Sequence, residues 1–354
     1  MSGGSPLLER PGAVAAGDDD ADVAWHYGDP VREQRRLAAG EALVDLSGRG
    51  VVTVSGPDRL SWLDTLSTQW LRDLPPGRSA EALILSPHGH IENALHVLDD
   101  GETTWLTVEP GRRQPLLEHL QKMRFMLRVE IADLTDSWAV LGLVPGGPAE
   151  AALGRVVAEP GRVWTDPWPA TAPGGVCYTR VPDDEHPGWQ RPWAEIRVPR
   201  GDLARSVGET PLAGTWAAQA LRVAAWRPRF GFDTDHRTIP HELDWLRTAV
   251  HLHKGCYRGQ ETVARVHNLG RPPRRLVLLH LDGSTHRLPE RGEEVHVDGG
   301  GRPIGRVTSP ARHHELGPIA LAVVKRSVPT DRPLLVGASP QTAISASQQP
   351  VVER

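Results

Sequence analysis

Cysteine is nearly absent from this chain: Cys177 and Cys256 are the two among 354 residues. A disulfide framework or a protein-held metal cluster needs about four cysteines or a Cys/His set, so neither is expected, and reduced thiols of a cytoplasmic protein are the default. Lysine is almost as rare, with Lys122, Lys254 and Lys325 set against 37 arginines. That imbalance runs through the whole chain and makes a retained lysine worth attention. Charge of one sign is also lacking. A formal net charge of −4 over this length excludes a generally basic nucleic-acid binder, DNA included, while a local basic groove stays compatible with it. Long apolar runs are missing too. No stretch approaches the roughly 20 apolar residues of a membrane span. The N-terminal residues carry no apolar export run, and the acidic GDDDAD at 17–22 opposes a mitochondrial transit peptide.

What is present fits a globular protein of two or three domains, with 39% hydrophobic and 24% charged residues. Residues 1–24 and the polar tail 341–354 read as disordered. Between them strands and helices alternate. VREQRRLAAG reads as a short helix and GVVTVSG as a strand. PDRLSWLDTLSTQWL places Leu60, Leu63, Ser67 and Trp70 near one helical face, and RRQPLLEHLQKMRFML spaces Leu116, Leu120 and Met123 for burial. DLSGRGVVTVSGPDRLSWL and DLTDSWAVLGLVPGGPAEAAL both run from a strand to Gly-Pro and a helix, which suggests two related α+β lobes. These occupy 25–270. From 271 to 340 the texture changes to short strands parted by Gly/Pro turns, with DGGG at 298–301 reading as a hairpin loop. An all-β module, a small barrel, is expected there.

The densest chemistry lies in KGCYRGQE, residues 254–261. TAVHLH before it alternates like a half-buried strand, and GQETVARVHNLG after it reads as a short helix with Glu261 in its first turn. Cys256 then sits in a Gly-flexed turn ahead of a helix N-terminus, between Lys254 and Arg258. Positive charge and the helix dipole both favour a thiolate. The spacing also allows the bland alternative of a small packed cysteine. Cys177, in the strand-like GGVCYTRV, has no cation directly beside it in sequence and reads as a packing residue.

Lys254-Gly255-Cys256-Tyr257, then Gly259-Gln260-Glu261 and Val-Ala-Arg at 263–265, resemble the signature of the YgfZ proteins. These are relatives of aminomethyltransferase, the T-protein of glycine cleavage. WHYGDPVREQRRLAAGEALVDLSGRGVVTVSGPD and RPRFGFDTDHRTIPHELDW extend the likeness over most of the chain. The resemblance implies an α+β fold of two ferredoxin-like lobes plus a C-terminal β-barrel around a folate cleft. It implies tetrahydrofolate or a derivative as ligand, and iron–sulfur assembly proteins or client enzymes as partners.

It also implies site residues. Glu195 in AEIRVP takes the position of a glutamate that grips the pterin, whose N3–H and 2-amino group present two parallel donors. Arg222 takes the place of a folate-contacting arginine, and Arg229, Phe230 and Asp233 are expected nearby. T-proteins carry paired aspartates in the segment that reads LSPHGHIENAL here. Asn93 and Ala94 stand in those positions, and neither takes a proton. Aminomethyl transfer is therefore not expected, with Cys256 and Lys254 as the working groups and Asn93 a folate contact. Two other readings remain at this level: a folate-dependent one-carbon transferase or demethylase, and a scaffold without ligand. His88/His90 and His251/His253 are i, i+2 pairs for which no third metal ligand is evident.

Overall fold

Asp29 and Pro30 open the first helix. The Asp29 side chain accepts from the Arg32 amide at 3.0 Å, and Pro30 takes a first-turn position that needs no N–H. In the computed structural model, residues 4–17, 20–298, 301–337 and 343–353 are described. A short hairpin of β1 (Val14–Ala15) and β2 (Ala24–His26) leads into α1 (Pro30–Ala38). Glu33 in α1 is buried because its carboxylate accepts from the Tyr27, Asp29 and Gly214 amides.

After β3 (Leu43–Asp45) the first lobe runs β4 (Gly50–Ser55), α2 (Arg59–Leu66), β5 (Ser79–Leu85), β6 (Ile91–Asp99), β7 (Thr103–Val108), α3 (Arg113–Met123) and β8 (Glu130–Asp133). The second runs β9 (Trp138–Leu143), α4 (Pro148–Leu153), α5 (Arg155–Ala158), β10 (Val163–Thr165), β11 (Ala194–Pro199), α6 (Leu203–Val207) and β12 (Leu212–Ala213). The sheet orders are β5-β6-β7-β4-β8 and β10-β11-β9-β3-β12. With the extra strands β5 and β3 set aside, both read last-first-third-second, the ferredoxin-like order. The faint sequence echo thus marks the first strand and first helix of each lobe.

Helices α7 (Thr215–Ala224) and α8 (Gln260–Leu269) flank the long turn-rich segment between the lobes and the barrel. The closed barrel comprises β13 (Arg274–Leu281), β14 (Glu294–Val297), β15 (Gly305–His313), β16 (Gly317–Lys325), β17 (Leu334–Val336) and β18 (Ile344–Pro350), in the order β13-β16-β15-β14-β17-β18. One apolar cluster joins the first lobe, the connecting segment with α8, and the barrel: Leu83 and Leu85 of the first lobe, Trp226 and Trp245 of the connecting segment, Val263 of α8, and Leu276 and Leu321 of the barrel. Each buried aliphatic or aromatic side chain there contributes about 1.5–3 kcal/mol, so the parts hold one another in place.

Several expectations need correction. Residues 1–24 are not simply disordered: Pro6–Glu9 forms a 3-10 turn, Leu7 is fully buried in the second lobe's core, and Asp20 pairs with Arg229. Polar composition hid one anchoring leucine. Residues 1–3 and 18–19 lie outside the described residues. The tail expectation also fails, because Ile344–Pro350 is the strand that closes the barrel, with Val351 and Val352 buried behind it. The tail's residues 341–342 and 354, and Gly299–Gly300 of the expected hairpin loop, lie outside the described residues.

TAVHLH is not a strand. Its backbone groups go instead to the turn after α2, as in His251 N–H to the Thr68 carbonyl at 2.9 Å. Helix α2 stops at Leu66, which leaves Trp70 outside it and exposed, and Met123 at the end of α3 is exposed as well.

Candidate functional site

Strand β11 is buried along both faces, so a carboxylate on it must be paired. Glu195 is 1% exposed and accepts from the Arg49 guanidinium, from His96 Nδ1 at 2.9 Å and from Trp193 Nε1 at 3.4 Å. The His96 ring is stacked flat on Trp164 at 3.8 Å, which fixes its edge toward Glu195. Burial works to raise the Glu195 pKa, but Arg49 and His96 overcome it and hold the carboxyl well below the usual carboxylate range. Arg49 reaches on to Glu109 at 3.2 Å, and Glu109 accepts twice from Arg229, at 2.7 and 2.9 Å. For Glu109 burial again opposes, and the Arg229 and Arg49 charges bring its pKa down to about 2.

These residues surround a central pocket of about 50 Å³ between the lobes and the connecting segment. Five arginines (Arg49, Arg191, Arg222, Arg227, Arg229) and four carboxylates (Glu81, Glu109, Asp166, Glu195) line it. Arg227 bridges Glu81 at 2.8 Å and Asp166 at 3.0 Å. Three buried guanidinium atoms in this set, Arg49 Nε, Arg191 Nε and Arg227 Nη1, have no hydrogen-bond partner within the protein. A buried unpaired donor is costly, and the three residues that carry these donors all line the pocket. Sequence reading missed most of this set. The available signal was a charged residue inside an apolar strand, as with Glu81 in SAEALIL.

The expected folate contacts are unevenly placed. Glu195, Arg222, Arg229 and Phe230 line the pocket. Arg222, however, is a structural joint: it donates to Gln219 at 2.9 Å, Asp233 at 2.7 Å and the barrel's Ser309 at 2.6 Å. Arg229 is held between Glu109 and Asp20. Asn93 does not line the pocket; it is buried with Oδ1 unpartnered, and its neighbour Ala94 faces the pocket instead. A register shift between Ile84 and Leu85 leaves Glu92 as the extra residue of β6, and it turns out to Arg258 at 2.8 Å.

The KGCYRGQE motif docks on this same segment. Gly259 has φ +84°, and a Cβ there would stand 2.6 Å from the Ser86 carbonyl and 3.0 Å from Gly89 Cα, so the two turns meet glycine to glycine. Cys256 is exposed in the turn before α8, Tyr257 is buried, and Gly255 faces open space. Gln260 donates to the Lys254 carbonyl at 3.2 Å, and Glu261 sits exposed in the first turn of α8.

Lys254 is not a free cation beside the thiol. Its Nζ donates to the carbonyls of Asp64 at 2.6 Å, Ser67 at 3.0 Å and Gln69 at 2.5 Å, with the Asp64 carboxylate at 3.1 Å. It closes the C-terminal end of α2. Burial pushes its pKa down, against the pull of Asp64. Both cations expected to act on Cys256 are therefore paired elsewhere.

Cys177 departs from expectation the other way. It lies outside any strand, and Arg247 Nη2 stands 2.6 Å from its sulfur, a contact made across 70 positions of sequence. Burial pushes this thiol's pKa up, with Asp244 adding and Arg247 opposing. Among the described residues no group of three or more His, Cys, Asp or Glu side chains is placed to hold a metal ion, and the two histidine pairs stand alone. No described helix is long and apolar enough to cross a membrane.

Residues 9–162 match the family model of the GCVT N-terminal domain. A chloroplastic protein of Arabidopsis thaliana, provisionally named a transferase, is 29% identical over 285 residues; the match covers 76% of this chain and 62% of that protein's length. The tRNA-modifying protein YgfZ of Klebsiella pneumoniae is 29% identical over 262 residues, covering 72% of this chain and 76% of its own. The crystal structure of the glycine cleavage aminomethyltransferase T from Bartonella henselae superposes with a TM-score of 0.76 at 20% identity, over 98% of this chain and 95% of that one. The chain thus has the aminomethyltransferase fold, two lobes and barrel together.

Proposed function

We propose that the chain is a YgfZ-type tetrahydrofolate-binding protein that supports the assembly or repair of iron–sulfur enzymes, with Cys256 as its working thiol. One observation carries the folate half: a buried, ionised Glu195 shares a pocket with three guanidinium N–H groups that lack partners. That donor and acceptor set fits a pterin. Glu195 would accept from the paired donors of the ring, and Arg49, Arg191 and Arg227 would meet its acceptors. A pocket of about 50 Å³ has room for water and not for a bicyclic ring, so the pocket must widen before a pterin enters. Bound tetrahydrofolate supplies a one-carbon carrier at N5 and N10.

The residues present argue against aminomethyl transfer. Ala94 faces the pocket where the T-protein resemblance implies an aspartate, and every carboxylate lining it is already paired with an arginine. None is left as a general base. Cys256 supports the second half by its exposure and by the docking of its turn onto the β5–β6 turn of the first lobe. One thiol cannot hold a cluster, so other ligands must come from a partner.

The name of one relative, a transferase, favours the second reading, a one-carbon transferase. Two measurements decide. Titration with tetrahydrofolate, 5-formyl and 5,10-methylene forms should quench tryptophan fluorescence saturably. In cells lacking the native protein, wild type should restore iron–sulfur enzyme activity and Cys256→Ser should not. Full rescue by the serine variant would reduce Cys256 to a turn residue.

A further inference from the structure

A second cavity, of about 520 Å³, opens beside β5, the edge strand of the first lobe. Its volume lies in the range of small-molecule sites, and its lining is mostly apolar, with Leu74, Pro75, Ala80 and Pro167 among it. Trp70 stands in this lining with 38% of its surface exposed. The ring is held in place: Nε1 donates to Asp73 at 3.2 Å, and His251 packs against it at 5.4 Å between centroids. The turn that carries it is fixed as well. Lys254 holds the Gln69 carbonyl, and the Gln69 side chain donates to the Thr248 carbonyl at 2.7 Å.

At the inner end lies Glu81, which is buried and lines both cavities. Oε1 takes Arg227 at 2.8 Å and Trp245 at 3.0 Å on the central-pocket side, while Oε2 takes a single bond, from Thr248. Oε2 keeps capacity for another donor. A rigid aromatic face, two acceptor carboxylates (Asp73 and Glu81) and one cation, Arg78, thus share one cavity.

We propose that this cavity binds a planar bicyclic heteroaromatic ring bearing an exocyclic amine, stacked on Trp70 with the amine toward Asp73 or Glu81. Two sources share that chemistry, the purine of a nucleoside and the pteridine of a second folate. Stacking of such a ring on one aromatic side chain is worth about 5- to 150-fold in affinity.

The test titrates the full chain with 2-aminopurine riboside, whose fluorescence falls on stacking, and separately with folic acid, whose pteridine is fully oxidised and planar, by calorimetry. Wild type should bind at least one saturably at this site, and Trp70→Ala should weaken that binding fivefold or more at unchanged Tm. Glu195→Gln should leave it within twofold. A purine source gives the loss with the riboside; a pteridine source gives loss of a second folate equivalent. Loss of the sole folate equivalent in Trp70→Ala, with Glu195→Gln silent, would keep this site and remove folate from the central pocket. The proposal is overturned if neither probe saturates in wild type, or if Trp70→Ala binds both as wild type does.

Discussion

Replacing Glu195 by Gln tests both the electrostatics of the central pocket and its assignment to folate. The amide keeps one acceptor for Arg49 or His96 but presents an NH₂ where the other donor points. Removing one partner of a buried ion pair costs about 3–5 kcal/mol when the survivor is stranded. Here Arg49 keeps Glu109 at 3.2 Å, so a loss of about 2–3 kcal/mol at pH 7 is expected. The pH dependence fixes the cause. Glu195 has a folded pKa below its unfolded value, so its contribution is complete above about pH 5 and declines as pH falls from there toward the folded pKa. Urea unfolding of wild type and variant should therefore differ most at pH 7 and converge toward pH 3. A difference that is the same at both would refute the ionic account. In the same variant, tetrahydrofolate affinity should fall by 1–3 kcal/mol, about 5- to 150-fold, because the new donor opposes a pterin donor. Unchanged affinity would mean that Glu195 does not grip the ring.

Lys254→Met should lower stability by about 2–4 kcal/mol in denaturant unfolding, since three carbonyls and Asp64 lose a shared buried donor. A neutral result would show that the clamp contributes nothing. Brief alkylation of the folded protein, followed by peptide mass mapping, should label exposed Cys256 well before the half-buried Cys177; equal rates would contradict the packing around Arg247. Folate-dependent ammonia release from an aminomethylated carrier protein should be absent, and its detection would show that a general base exists despite Ala94 and the paired carboxylates.

Local rules carried much of the fold. The VREQRRLAAG run marks a helix, the Gly/Pro punctuation after residue 270 marks a barrel, and Gly259 ahead of Gln260 marks the turn into α8; each depends on local preferences of a few neighbouring residues. The exposed cysteine turn was readable for the same reason. Partner choice was not. Arg49 meets Glu195 across 146 positions and Arg247 meets Cys177 across 70, and Lys254 spans 185 to reach Gln69. In sequence Lys254 and Arg258 flank Cys256, yet in the fold the end of α2 claims Lys254, because buried carbonyls need a donor more than an exposed thiol does, and Arg258 forms a surface pair with Glu92 of β6. Leu7 and Ile344–Pro350 were likewise assigned by composition to disorder, until a core and an open barrel edge gave their apolar side chains and backbone groups somewhere to go. Sequence thus decided which residues can form each element and turn; which charges are neutralised, and hence which pocket is left with unpaired donors, was decided only when sheet register brought distant residues within hydrogen-bonding distance.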